Sequence, residues 1–330
     1  MKKSLLILLF TCWALFFAAF RPVMPFAAET AAFPDGTPVT GGRILMGTIG
    51  EPSNLIPYMA SDSASGEITG LLYVAPLKYD KDLNVVPWAA ASYEVLEGGR
   101  LLRFVLRDDI RWEDGVPLTA DDVEFTYKLM IDPKTPTAYS GDFLAIESFK
   151  KTGRLSFEVR YAKPFARSLM TWMGAILPKH VLEGQDIMTT PVARKPIGAG
   201  PYRLAKWDAG SMLTLTASDT YFEGRPNLDE VVYRIIPDPS TMFLELKAGK
   251  LDMMSLSPQQ YLRQTQGPQW ERDWRKYRYL SFSYTFLGFN LEHPFFKDVR
   301  VRRAISMAID RQSLIDGVLL GQGVPTVGPY

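Results

Sequence analysis

Cysteine is almost absent from this chain of 330 residues, and the only one, Cys12, lies inside an apolar N-terminal run. If that run is removed, no thiol remains, which excludes disulfides, thiolate metal sites and cysteine nucleophiles together. Histidine is nearly as scarce. His180 and His293 stand far apart, and neither belongs to an H-E-x-x-H or H-x-x-E-H spacing, so a zinc site has no sequence support. There is no G-x-S-x-G elbow and no phosphate-loop lysine motif. Nothing in the spacing of the carboxylates favours a glycosidase-type pair. An excess of charge is missing too: 37 basic against 36 acidic residues give +1, which points neither to nucleic acid nor to an acidic tail. Apolar runs long enough to approach a membrane span are absent after residue 20.

That first run has the form of an export signal. Lys2 and Lys3 precede the apolar stretch Ser4–Phe20, Arg21 and Pro22 end it, and small residues follow at Ala27 and Ala28. A signal peptide over residues 1–28 is expected, with a retained N-terminal anchor as the alternative. Phe10 and Thr11 before Cys12 make a poor lipidation site. Apolar content of 47% and aromatic content of 12% suffice for real cores, and the length suits two domains or three small ones.

Along the chain, Arg43–Thr48 reads as a strand, followed by the loop Gly50-Glu51-Pro52-Ser53-Asn54-Leu55-Ile56-Pro57. Glu51 and Asn54 there could hold a ligand or cap neighbouring backbone. Leu102, Phe104 and Leu106 alternate with polar or exposed positions, as do Leu155, Phe157 and Val159; both are strands. Thr119 with Asp122 forms a helix start, and Asp121 and Asp122 complement the helix dipole better than they suggest catalysis. Gly198 and Gly200 lack a third glycine and are followed by Pro201, so they are not a dinucleotide fingerprint. Tyr279–Asn290 alternates as a strand whose even face runs Phe282, Tyr284, Phe286, Gly288, Asn290. It is either a buried strand with a glycine bulge or a surface along which an extended ligand lies. Asp298 and Asp310 can cap helices.

Five stretches then occur in a particular order: G-E-P-S-N-L-I-P at 50–57, R-W-E-D-G-V-P-L-T-A-D-D-V-E-F-T at 111–126, I-L-P-K-H at 176–180, P-I-G-A-G-P-Y at 196–202, and G-F-N with P-F-F-K-D-V-R-V-R-R-A at 288–304. With them the chain resembles the extracytoplasmic solute-binding proteins of family 5, which serve peptide, dipeptide and nickel ABC importers. The resemblance implies an α/β, two-lobed periplasmic-binding-protein type II fold with an inserted subdomain. Lobe I would comprise 41–65 and 193–277, the insert 66–192, and lobe II would start at 278 and be truncated at 330. By the same resemblance Glu51, Tyr139, Tyr284, Phe286 and Gly288 would contact ligand, while His180 and Gly198 would be scaffold. Asn54 and Asn290 join the candidate ligand-binding residues as the polar ends of the loop and of the strand's even face.

The expectation is therefore a non-enzymatic, exported binding component of an ABC transporter, with no catalytic residue, no metal and no cofactor. Its partners would be a peptide or similar small solute and the permease subunits, with no nucleic acid, and membrane contact only through the permease or an uncleaved anchor. It would act as a monomer outside the cytoplasmic membrane. A receptor or chaperone-like binder on the same fold, or a nickel-chelate binder, is the alternative. Exposed apolar surface is expected on the helices after Asp298.

Overall fold

Two four-stranded sheets dominate the structure, a computed structural model that describes residues 38–280, 283–326 and 328. The expected signal peptide lies outside these residues. One compact unit ends at Ser255 and a second begins at Leu256.

In the first unit, β1 (Arg43–Thr48), β2 (Leu77–Tyr79), β3 (Val85–Pro87), β4 (Ala90–Leu96), β5 (Leu101–Leu106), β6 (Ile146–Lys151), β7 (Ser156–Tyr161), β8 (Tyr202–Asp208), β9 (Met212–Ala217) and β10 (Glu230–Ile235) form three sheets. Their orders are β1-β10-β9-β8, β2-β3 and β4-β5-β7-β6. Among these ten strands only β1 and β10 pair in parallel; the chain leaves β1, builds everything from residue 49 to 201, and then returns to this sheet at β8. The first sheet thus joins the two ends of this unit around an insertion that carries the other two.

Alternation built the β4-β5-β7-β6 sheet. Leu102, Phe104, Leu106, Phe157 and Val159 are buried, while Arg103 and Val105 face out. Phe104 sits opposite Phe157 in register, and the rings stack at 4.7 Å and 11°. Phe149 continues the stack at 5.3 Å, and Trp172 leans on Phe157 at 5.3 Å. Such cross-strand aromatic pairs add to plain burial.

Helices α1 (Ser63–Leu72), α2 (Ala120–Ile131) and α3 (Pro239–Lys247) flank the sheets. As expected, α2 starts with a capping box: the Thr119 side chain accepts from the first turn, and Asp122 Oδ2 accepts the Thr119 N–H at 2.8 Å. The other Asp122 oxygen accepts the Lys179 N–H at 2.9 Å. Asp114 meets His180 Nε2 at 2.7 Å, and the Glu113 N–H donates to Gly198 O at 2.9 Å. Three of the sequence stretches singled out above therefore meet in space, with His180 and Gly198 as structural parts. A Cβ on Gly198 would lie 1.9 Å from the Leu72 carbonyl oxygen, so only glycine fits.

In the second unit, α4 (Val299–Ala308) and α5 (Arg311–Gly317) start at Asp298 and Asp310, whose side chains accept the N–H groups of Arg300 and Ser313. The apolar surface expected after Asp298 is there: Val301, Ile305 and Ile309 are only half-buried, and Met307 is 85% exposed. The strand expected over Tyr279–Asn290 does not form. Residues 279–280 and 283–290 join no described sheet, and Ser281 and Phe282 lie outside the described residues. Alternating side chains are not enough for a strand, because its backbone groups also need a neighbouring strand to pair with.

Candidate functional site

A cleft of about 240 Å³ opens in the first unit between the loop after β1, helix α1, the segments around Tyr73–Ala75 and Met173–Ala175, and the side chains of Trp88 and Tyr139. The loop is placed by burial and by hydrogen bonds. Leu55 and Ile56 are buried, and the Leu55 N–H donates to Ala193 O at 3.0 Å. The Ser65 hydroxyl accepts the Ser53 and Asn54 N–H groups at 3.0 and 3.3 Å. Asp62, the N-cap of α1, accepts from Ser53 Oγ and Ser65 Oγ. Burial pushes the Asp62 carboxyl up, but these hydrogen bonds outweigh it and leave the group below its usual range.

Tyr58 holds the loop's far end. Its φ of 73° is in the left-handed region, which a non-glycine residue rarely adopts. The surroundings enforce it. Tyr58 Oη donates to Ala175 O at 2.8 Å, Thr137 Oγ1 donates to Tyr58 O at 2.8 Å, and the ring meets Tyr139 and Phe143 edge-on at 6.0 Å. A Cβ on Gly174 would lie 2.2 Å from Tyr58 Oη, so this contact depends on glycine. Burial pushes the phenol pKa upward, keeping it neutral.

The sequence-predicted residues divide into three groups. Asn54 and Tyr139 line the cleft. Asn54 Oδ1 accepts the Ile56 N–H at 2.8 Å, so the cap reading of this residue is realised. Tyr139 Oη reaches Ala60 O at 3.4 Å, and its ring remains 45% exposed. Glu51 is not among the lining residues. Its carboxylate accepts the Trp207 indole N–H at 2.6 Å and the Gly210 N–H at 3.1 Å. Arg194 meets it at 3.4 Å while stacking on Trp207 at 3.9 Å. Tyr284, Phe286, Gly288 and Asn290 belong to the second unit. Tyr284 and Phe286 rings meet at 5.6 Å, and Phe286 is 72% exposed. Gly288 faces the Phe286 ring, and Asn290 Oδ1 caps the Glu292 N–H at 3.0 Å.

Tyr58, Tyr73 and Trp88 line the cleft without having been singled out from the sequence. Tyr58 alone carried a signal, its place in a proline-rich loop beside Asn54. Among the described residues no group of three His, Asp or Glu side chains could hold a metal ion, and no helix is long and apolar enough to cross a membrane.

A family model for bacterial extracellular solute-binding proteins, family 5 (middle), matches residues 84–330. The chain belongs to this family. Among family-5 relatives, the oligopeptide-binding protein AppA of Bacillus subtilis (strain 168) is 33% identical over 294 residues, covering 87% of this chain and 53% of AppA. The solved structure of AppA from B. subtilis, in complex with a nonapeptide, is similar with a TM-score of 0.79 at 31% identity, over 88% of this chain and 58% of that one. NikZ from Campylobacter jejuni, in complex with Ni(L-His), is similar with a TM-score of 0.76 at 26% identity, over 87% and 57%. The chain thus spans a little over half the length of these family-5 proteins, and its fold is their type II periplasmic-binding-protein architecture.

Proposed function

We propose that this chain is the solute-capturing component of an ABC importer, working outside the cytoplasmic membrane on peptides or similar small solutes and delivering them to permease subunits. The observation that carries the reading is the cleft in the first unit. A loop pinned by Ser65 and Asp62 and an insertion presenting Tyr139 face one another across it. A preformed concave surface with few polar groups and several rings suits binding. Membership of family 5 and similarity to a peptide-bound AppA support the ligand class.

Lobe I would be 41–65 with 193–277, the insert 66–192, and lobe II would start at 278. Asn54, Tyr139, Tyr284, Phe286, Gly288 and Asn290 would be the ligand-binding residues. Glu51 would act from behind, by holding the loop. No residue is assigned a catalytic role, and the protein would work as a monomer.

Calorimetry on the 330-residue chain and on a version extended to the length of its relatives tests this. Titrants are a mixed tripeptide pool, dipeptides and nickel–histidine. Heat of binding from the peptide pool is expected, and silence from all three on both proteins would sink the proposal.

A further inference from the structure

Sixteen residues line the cleft, and none of them carries a charge. Four aromatic residues, Tyr58, Tyr73, Trp88 and Tyr139, line it together with helix backbone at Gly66 and Gly70. Those two glycines stand at i and i+4, on one side of α1. Glycine is the costliest ordinary residue for a helix interior, and packing does not demand it here. A Cβ at either position would meet nothing within 4 Å, because the space beside it is open.

Most polar atoms of the wall are already used internally. Ser65 Oγ, Thr69 Oγ1, Tyr58 Oη and the Trp88 indole N–H all have partners within the protein. Asp62, at the start of α1, is spent on Ser53 and Ser65. Tyr73 differs. It lines the cleft, but its hydroxyl is itself closed off from it and, among the described residues, finds no hydrogen-bond partner, so it offers a ligand nothing polar.

We propose that the cleft is a subsite for one neutral aromatic group, with Gly66 and Gly70 keeping it open. This rests on the solute-binding reading and names the side-chain class it admits. Size agrees: about 150 Å³ of apolar cavity accepts a benzene ring, and the cleft offers about 240 Å³. Rings at 4.5–7 Å from Tyr58, Trp88 and Tyr139 would gain edge or offset contacts. A carboxylate or ammonium would lose hydration with no counter-charge on the wall, so charged groups are rejected.

The test uses the full 330-residue chain and four small probes, p-cresol, toluene, benzoate and benzylammonium, with dissociation constants from ligand-observed NMR. Binding of p-cresol at least about tenfold tighter than either ion is expected, as the gap that desolvating an unpaired charge opens. Gly70→Leu, whose side chain enters open space and whose melting temperature should not fall, is expected to abolish p-cresol binding. Tyr73→Phe removes a hydroxyl that is closed off from the cleft and should leave p-cresol and toluene binding alike unchanged. Equal binding of the ions, or p-cresol binding that survives Gly70→Leu, would overturn the subsite. The two readings separate cleanly. Peptide heat that persists in Gly70→Leu, with p-cresol silent in the parent, removes the subsite and leaves the solute-binding role. Loss of p-cresol in Gly70→Leu, with no peptide bound by either protein, does the reverse.

Discussion

The Trp207 indole N–H donates to the Glu51 carboxylate at 2.6 Å, across 156 positions of sequence. The Gly210 N–H and Arg194 complete the arrangement, which fastens the loop after β1 to the β8–β9 hairpin. Glu51→Ala leaves two N–H groups to find other partners, and a lost hydrogen bond to a charged acceptor costs about 1–3 kcal/mol. Urea unfolding should show a loss of that order. Since Glu51 does not line the cleft, Glu51→Gln should keep p-cresol affinity within about twofold, the change expected of a residue outside the contact. A Glu51→Ala protein as stable as the parent would mean the latch does not hold the loop.

Gly174 is where Tyr58 comes closest to the opposite wall. A methyl group at this position would overlap Tyr58 Oη and push it off Ala175 O. Overpacking of this kind costs about 1–3 kcal/mol, and losing the bond that restrains a left-handed Tyr58 adds to it. Gly174→Ala is expected to lower the melting temperature and weaken p-cresol binding together. A melting temperature equal to the parent's would show that Tyr58 has room to yield.

The glycines should respond in opposite senses. At Gly198 a Cβ would meet Leu72 backbone at 1.9 Å, and backbone cannot swing aside as a side chain can; Gly198→Ala is expected to yield little folded protein. At Gly66 and Gly70 a Cβ meets open space inside a helix, so alanine should stabilise by up to about 1 kcal/mol each. Thermal melts of the three single variants decide it, and a destabilised Gly66→Ala or Gly70→Ala would contradict the open-space account.

What could be read in advance was whatever is specified locally. Leu102, Phe104 and Leu106 announced β5 by alternation, and Thr119 with Asp122 announced α2 by side-chain chemistry alone. The ordered series of motifs pointed to the family, and three of the motifs are pieces of scaffold that touch one another: Asp114 on His180, Glu113 on Gly198. Helix α1 was not legible, since Ser-Ala-Ser-Gly-Glu-Ile-Thr-Gly-Leu-Leu carries two glycines and little apolar periodicity. Glu51 could not be resolved for a different reason. A carboxylate in a loop advertises its charge but not its donors, and these came from residues 194, 207 and 210. Tyr279–Asn290 misled because alternation describes side chains while a strand also requires a partner. Tyr58, Tyr73 and Trp88 converge only once the insertion has folded back on the loop.

Two acids give the protein opposing pH dependences. Asp62 is buried enough to raise its pKa, yet the Ser53 and Ser65 hydrogen bonds carry it below 3.8 in the folded state. The unfolded chain therefore binds its proton more readily, so the Asp62 contribution is complete above about pH 4 and disappears as pH falls through the lower, folded value. Asp122 is the reverse. Burial raises its pKa from 3.8 despite the N–H groups of Thr119 and Lys179, so the folded state holds the proton more firmly, and stability falls as pH rises from about 4 through the raised value. Replacing Asp62 with Asn should remove part of the acid-side slope below about pH 4. Replacing Asp122 with Asn should flatten the decline above pH 4, though at all pH values that protein loses one of two backbone acceptors, because the amide nitrogen cannot receive an N–H. Unfolding free energies from urea curves at half-unit intervals from pH 3 to 7 distinguish the two. If the Asp62→Asn and parent curves run parallel through the acid range, the loop is not held by an ionised Asp62.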